Sequence, residues 1–273
     1  MALTKHPVII DGIICYLPNS LDGFADYHSV GLDNLYAAEN THFWFITRRE
    51  KICGAFKKYV PNHSRIMEIG AGTGYVAEGL QKIGYQVAVG EYHLSGLKYA
   101  KQKGIEECYQ FDLFEPPFEN EFDAIGMFDV IEHLEDDVFA MQQASRMIKP
   151  GGYLFVTVPA HQWLWSRNDK IAAHKRRYNK RMIINSVEIG GLEIVEMSYF
   201  FASILPLLFL RKLIYRDHDG VVIEKERQKK IPINLLLNKF LLILTRVENY
   251  FSQWLPNIAG GSLLLVAKKH RSP

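Results

Sequence analysis

Cysteine is scarce in this chain of 273 residues: Cys15, Cys53 and Cys108 stand far apart and form no C-x-x-C pair. That excludes a zinc knuckle and a disulfide framework, and makes a reducing compartment the simpler expectation. A surplus of one charge is missing too. Lys and Arg number 32 and Asp and Glu 30, a net charge of +2, so bulk charge does not call for a polyanionic partner. The charge-free stretch from Met197 to Leu210 is interrupted by Pro206 and falls short of the ~20 residues a spanning helix needs. The opening MALTKHPVIIDGIICYLPNS has one lysine and an apolar stretch broken by Asp11 and Gly12, which does not read as a signal peptide. Repeats and low-complexity tracts are absent. What is present, 48% hydrophobic and 23% charged residues, is ordinary globular composition. It suits one domain with an elaboration, or two small domains.

Residues 66–75 read IMEIGAGTGY, an apolar run carrying one acid and then glycine at every second position. Such a turn lets a ligand approach the backbone, because glycine has no Cβ and tolerates positive φ. A dinucleotide fingerprint, G-x-G-x-x-G, would need a third glycine where Tyr75 stands. A phosphate-cradling loop would need a lysine after Gly79, where Leu80 stands. What remains is E-x-G-x-G-x-G, formed by Glu68, Gly70, Gly72 and Gly74. An acid ahead of the loop is a poor neighbour for pyrophosphate and a good one for a cation, so the loop reads as a site for a positively charged nucleoside.

The rest of the pattern alternates. RIMEIG, QVAVGEY, ECYQFDL, FDAIGMFDV and YLFVTVP read as strands, separated by helical GYVAEGLQKIG, LSGLKYAKQKG and EDDVFAMQQASRMIKPGG. This rhythm predicts a parallel sheet with helices on both faces and a ligand beyond the carboxyl ends of the strands. Gly70, Glu91, Asp112 and Phe128 fall at those ends. Before the first strand of the alternation, residues 1 to about 40 read as irregular with a hairpin at Asp11-Gly12, and THFWFITRREKICGAFKKYV as a helix closed by Pro61. After Pro159, AHQWLWSRNDKIAAHKRRYNKR is loop-like and then basic, and GLEIVEMSYFF and GGSLLLVAKKH are strands around two apolar segments.

From Arg65 to Pro159 the chain resembles the class I S-adenosylmethionine-dependent methyltransferases, in the small-molecule branch of methyltransferase types 11 and 12. MEIGAGTGY, VGEYHLSGLKYAK, YQFDLFEPPFENEFDAIGMFDVIEHLED and RMIKPGGYLFVTVP carry the resemblance, four ordered segments with matching gaps. It implies an α/β, Rossmann-like, doubly wound sheet of seven mostly parallel strands with the last antiparallel, and a helical insertion before that strand. The chain then divides into an N-terminal extension and lid helix (1–60), a cofactor-binding core (61–201), a helical insertion (202–261) and the last strand and tail (262–273). The implied cofactor is S-adenosylmethionine. Gly70, Gly72 and Gly74 pack against its methionine portion, Glu68 and the Phe128 carbonyl meet its amino group, and Arg48 meets its carboxylate. Glu91 accepts from the ribose diol. Asp112 and the Leu113 amide read the adenine. Singly, Glu91 and Asp112 also read as helix N-caps. HFWFITRR and LWSRNDKIAAHKRRYNKR resemble a bacterial and archaeal branch associated with cell-surface glycan or lipid-linked saccharide pathways, which makes Trp44 and Phe45 part of a lid over the substrate. The plainer alternative is a hydrophobic staple.

An in-line methyl transfer to a hydroxyl needs alignment and a base. His133 in DVIEHLED is the first candidate, with His174 and nearby Tyr178 second. In HKRRYNKR, five basic residues in a span of eight, Arg176 and Arg177 are candidates for gripping an anionic acceptor; a solvated helix start is the alternative. No metal site is expected. FDVIEH is not a flipped-base motif and no RNA-binding module is appended, so an RNA acceptor ranks below a small or lipid-linked one, with O-methylation expected. A dehydrogenase is a minor alternative, and a cofactor-holding scaffold without catalysis is the competing class. In the insertion, Ile233, Leu237, Phe240, Leu244, Val247, Phe251 and Trp254 form a helical seam that Leu236, Ile243 and Tyr250 widen. Its plain reading is a cap that buries this stripe on the sheet, or a homodimer face. The sharper one is a wall for a lipid-tailed acceptor or a peripheral membrane contact edged by RKLIYR and KERQKK. The chain is expected in the cytoplasm.

Overall fold

The computed structural model describes residues 6–17, 29–214, 233–252, 254 and 257–270. The expected alternation is realised as β3 (Arg65–Ile69), α3 (Tyr75–Lys82), β4 (Gln86–Glu91), α4 (Leu94–Gln102), β5 (Glu107–Gln110), β6 (Phe122–Phe128), α5 (Asp137–Met147) and β7 (Ile148–Pro159). Ahead of it lie the hairpin β1 (Val8–Ile10) and β2 (Ile13–Cys15), then α1 (Ser29–Ala38) and α2 (Phe43–Tyr59). After it come α6 (Arg167–Ile171), α7 (Lys180–Ile189), β8 (Leu192–Phe200), α8 (Leu205–Ile214), α9 (Leu235–Phe251) and β9 (Ser262–Lys269).

The sheet has nine strands in the order β1-β2-β5-β4-β3-β6-β7-β9-β8, which corrects the expected seven. Seven of them, β5 through β8 in that order, make the expected mostly parallel core, with β9 antiparallel to both of its neighbours. The two extra strands come from the Asp11-Gly12 hairpin. Both turn residues have positive φ, 51° and 74°, as a two-residue hairpin turn requires, and β2 then adds in parallel to the edge strand β5. The expectation of an irregular first 40 residues is also corrected, since α1 is helical.

Helices cover both faces. On one, Ile52 and Phe56 of α2, Val76 and Leu80 of α3, and Leu97 and Ala100 of α4 share a buried cluster with Ile66, Val89 and Phe155 of the sheet. On the other, Ala140, Met141 and Ala144 of α5 and Ile183 and Val187 of α7 pack on Met67, Ile125 and Val156. Alternating sheet residues thus feed two cores, the arrangement of a doubly wound fold. The near-continuous burial of β6 and β9 follows from being covered on both sides.

Helix α9 departs from the capping expectation. Its buried residues are Asn238, Leu241 and Thr245, while Leu236, Phe240, Ile243, Val247 and Tyr250 are exposed. Polar contacts with α2 and the turn before it hold it this way round. The Asn238 amide oxygen accepts from Phe43 N (2.9 Å), its nitrogen donates to Thr41 O (2.7 Å), and the Thr245 and Thr47 hydroxyls share a hydrogen bond (2.8 Å). The KERQKK run, Tyr215 and Arg216 of RKLIYR, and the loop signals of residues 18–28 lie outside the described residues.

Candidate functional site

The carboxyl ends of β3, β4, β5 and β6 open onto a cavity of about 430 Å³. Its floor is the glycine loop. Gly70 and Gly72 have φ of 65° and 53°, a region that L side chains avoid. At Gly70 space forbids a side chain as well, because a Cβ would lie 2.6 Å from Val130 Cγ2. Gly72 has room, and Gly96 of α4 packs so close that its own Cβ would sit 2.6 Å from the Gly72 carbonyl oxygen. Gly74 does not line the cavity. It stands behind it as the N-cap of α3, against Ala100.

Glu68, buried at the end of β3, lines the cavity, and its Oε2 has no hydrogen-bond partner in the protein. Burial raises its carboxyl to about 8, against the opposing pull of the Arg48 charge. A carboxyl so placed lacks a cation, and the ammonium of a bound amino acid would supply one. Glu91 accepts from Gly72 N (2.9 Å) and Tyr92 N (2.8 Å), and Asp112 from Phe114 N (2.8 Å). Both carboxylates line the cavity, as do Leu113 and Phe128. Arg48, reaching in from α2, donates to the Phe128 carbonyl (2.7 Å) and pairs with Asp129 (2.8 Å). A glycine cradle, an unpartnered acid and two strand-end carboxylates fit a cationic nucleoside.

The opposite end of the cavity is lined by His133 and His174, whose rings meet edge to face at 4.9 Å. His133 ends a single 3-10 turn (Ile131–His133) after β6. His174 lies on the segment 160–178, which leaves β7 and returns beside it. Tyr178 N donates to Pro159 O (2.9 Å) and His161 N to Tyr178 O (2.8 Å), closing the segment at its base. Within it, His174 Nδ1 lies 3.0 Å from Asp169 Oδ1. Asp169 is fully buried and also accepts from Arg177 Nε (2.7 Å) and Ser166 N (2.8 Å). Burial alone would raise its carboxyl, but His174 and Arg177 outweigh that and hold it below the usual range. Glu132, fully buried with both carboxyl oxygens unpartnered, is pushed well above the carboxylate range by burial and by the charge of Asp129. Its Oε1 is 3.9 Å from His174 Nε2. Glu132, His133 and His174 bring three potential ligand atoms within 4.8 Å of one another, a grouping that the sequence reading did not anticipate.

Several expected site residues are placed elsewhere. Tyr178 is fully buried and donates to Asp137 (2.8 Å), which with burial raises its phenol and leaves it no route to a substrate. Arg176 donates to the carbonyls of Leu134 (2.8 Å) and Glu135 (3.0 Å), and Arg177 to Asp169 and to Ala160 O (3.1 Å). Both guanidinium groups hold the loop together and neither lines the cavity. Trp44 stacks on Phe201 at 4.1 Å, outside the cavity, while Phe45 lines it. Residues the sequence reading passed over include Leu35 of α1 and Glu39 just after it, which line the cavity. Glu39 is buried, accepts from the Thr73 hydroxyl and pairs with Lys103. Asp169 was passed over too, although Ser166-x-x-Asp169 carries a capping-box signature that could have drawn notice to it.

Known proteins resemble this chain in sequence and fold. The family model described as a methyltransferase domain matches residues 44–196. A ubiquinone biosynthesis O-methyltransferase of Xylella fastidiosa (strain M23) is 28% identical over 157 residues, covering 52% of this chain and 59% of that protein. An uncharacterised methyltransferase of Schizosaccharomyces pombe is 32% identical over 145 residues, covering 47% and 50%. The chain thus spans between half and three-fifths of the length of these relatives. Among solved structures, phosphoethanolamine N-methyltransferase 2 of Haemonchus contortus with S-adenosyl-L-methionine superposes with a TM-score of 0.57 at 18% identity, covering 90% of this chain and 58% of that one. An S-adenosylmethionine-dependent methyltransferase of Thermotoga maritima gives 0.54 at 17% identity, covering 89% and 100%. With the family model spanning more than half of its length, the chain belongs to the methyltransferase-domain family of S-adenosylmethionine-dependent enzymes.

Proposed function

We propose that this chain methylates an oxygen of a small or lipid-linked acceptor, with His174 as the base. The observation that carries this reading is the buried Asp169 held against His174 Nδ1 at the rim of the cavity. An ionised carboxylate there favours the tautomer with the proton on Nδ1, which leaves Nε2 to receive one. When bound, S-adenosylmethionine would supply an electrophilic methyl group with a neutral thioether as leaving group. The acceptor hydroxyl gives its proton to His174 Nε2 as its oxygen forms the bond to the methyl carbon. Asp169, anchored by Arg177, stabilises the imidazolium that results. Glu68 and Arg48 would hold the amino-acid end of the cofactor, Glu91 the ribose, and Asp112 with the Leu113 amide the adenine. An oxygen acceptor agrees with the name of the Xylella relative. Because Arg176 and Arg177 are committed within the loop, they give no support to an anionic acceptor.

Calorimetric titration with S-adenosylmethionine and, separately, NAD tests the cofactor. Saturable binding of the first alone is expected, and its absence would leave a scaffold as the better reading. Transfer of labelled methyl groups to hydroxylated acceptors, including lipid-linked saccharides, then tests the base. His174→Ala should lower kcat by about 10²–10⁴-fold with cofactor affinity unchanged, and an unchanged kcat would remove His174 from the reaction.

A further inference from the structure

The outward face of α9 is apolar over its whole length. Leu236, Phe240, Ile243, Val247 and Tyr250 advance by four and three residues along one side, and Trp254 follows just past the helix end, with exposures from 48% to 76%. Amphipathic helices ordinarily turn such a stripe inward. Here the inward side is fastened by Asn238 and Thr245, so the exposure is specified by hydrogen bonds to the body of the protein. Helix α8 is tied to α9, because Glu248 accepts from Ala202 N (2.8 Å) and Ser203 N (2.9 Å) just ahead of it. It adds exposed Leu207, Phe209, Leu210 and Leu213. Together these side chains expose on the order of 1,000 Å² of apolar surface, where a monomer's largest patch is usually a few hundred.

We infer that this face docks on an anionic phospholipid surface, with α9 lying in the plane of the bilayer. Charge argues for that occupant. The single acid of the two helices, Glu248, is turned to cap the start of α8, and Arg246 is paired with Glu50. The other charges of the pair are all basic: Lys239, and Arg211 and Lys212, which donate to the neutral acceptors Asn168 Oδ1 (3.0 Å) and Trp163 O (2.5 Å). Basic residues beside an apolar aromatic face match acidic headgroups above acyl chains, with Tyr250 and Trp254 suited to the boundary between them. A second copy of the same face would set basic residues against basic ones.

The test is co-sedimentation of the full chain with phosphatidylcholine vesicles and with vesicles containing about one-third phosphatidylglycerol. Binding should be at least about tenfold stronger to the anionic vesicles. Leu236→Gln, Phe240→Gln and Ile243→Gln together should abolish it without altering the circular-dichroism melt. Lys239→Glu should weaken binding to anionic vesicles alone. Equal binding to both vesicles, no binding to either, or indifference to the triple substitution would overturn the inference. So would a sedimentation-velocity dimer that the same triple substitution dissolves, which would assign the face to a second copy. None of these readouts involves cofactor or methyl transfer, so the outcome is separable from the proposed activity.

Discussion

The cavity and the α9 face are both surfaces that the chain leaves uncovered, and they are built in opposite ways. In the cavity charge is left unanswered: Glu68 is a buried acid with its Oε2 unpartnered, and Glu132 is one with both oxygens so. Along α9 the polar groups are satisfied inside and the apolar ones are left outside. The first surface lacks a cation, the second lacks cover from water. A ligand of small size and positive charge answers one, and an extended greasy surface answers the other.

The comparison breaks most sharply at the glycine loop. Gly72→Leu should lower affinity for S-adenosylmethionine by more than about 100-fold through strain at positive φ and loss of space, with the chain still folded by circular dichroism. Surviving affinity would mean the cofactor sits elsewhere. Glu68→Gln should cost about tenfold and change the pH response. The Glu68 carboxyl is raised to about 8 by burial, so the free protein holds a proton there that the unfolded chain has lost. Its ionisation therefore lowers stability as pH rises from the ordinary carboxylate range toward 8. A bound ammonium would favour the ionised form, so cofactor binding near pH 7 should release a proton, read as a dependence of binding enthalpy on the buffer. In Glu68→Gln that dependence should vanish.

On α9 the expected pattern is inverted. Asn238→Leu, which removes two hydrogen bonds and strands Phe43 N, should cost about 2 kcal/mol in chemical denaturation. Ile243→Gln should change stability by less than about 0.5 kcal/mol. If the polar substitution were the costly one, the stripe would be covered in solution. A pH-dependent effect is expected at His42, whose ring accepts from Trp44 N at the start of α2. Burial, helped by the Arg211 charge, lowers it to about 4. The unfolded chain binds the proton first, so stability should fall as pH drops from about 6.5 toward 4 and stay level above. Melting temperatures of the wild type and His42→Asn across that window would isolate it.

The two surfaces were also unequally legible in the sequence. Glu68, Gly70, Gly72, Glu91 and Asp112 come from short segments whose spacing follows the strand-to-helix turns, so local pattern sufficed to bring them together. Asp169 sits in the short helix α6 among basic residues. Its tie to His174 depends on a chain reversal that no periodicity announces. Tyr178 and Arg177 look like site residues in HKRRYNKR because sequence shows charge and type but not which side of a loop faces inward. The edge strand β2 was missed as a sheet member because its partner, β5, lies about 95 residues away. Helix α1 was missed because SVGLDNLYAA holds Gly31, Asp33 and Asn34, weak helix formers that read as loop. The heptad-like stripe of α9 was read correctly as a stripe, but a stripe does not say whether protein, lipid or water lies against it.

The closure of segment 160–178 at its base has a consequence for where the proposed base stands. Its ends are joined by Pro159, His161 and Tyr178, and its interior is organised around Asp169. The proposed base is therefore carried on a cassette that begins and ends at nearly the same point of the sheet. Beyond its base, the segment is tied to the turn after β6 and the start of α5, through Arg176 to Leu134 and Glu135 and Tyr178 to Asp137, and none of these contacts involves the glycine loop. On the proposed reading, the base and the cofactor cradle therefore stand on different stretches of chain, one after β7 and the other after β3.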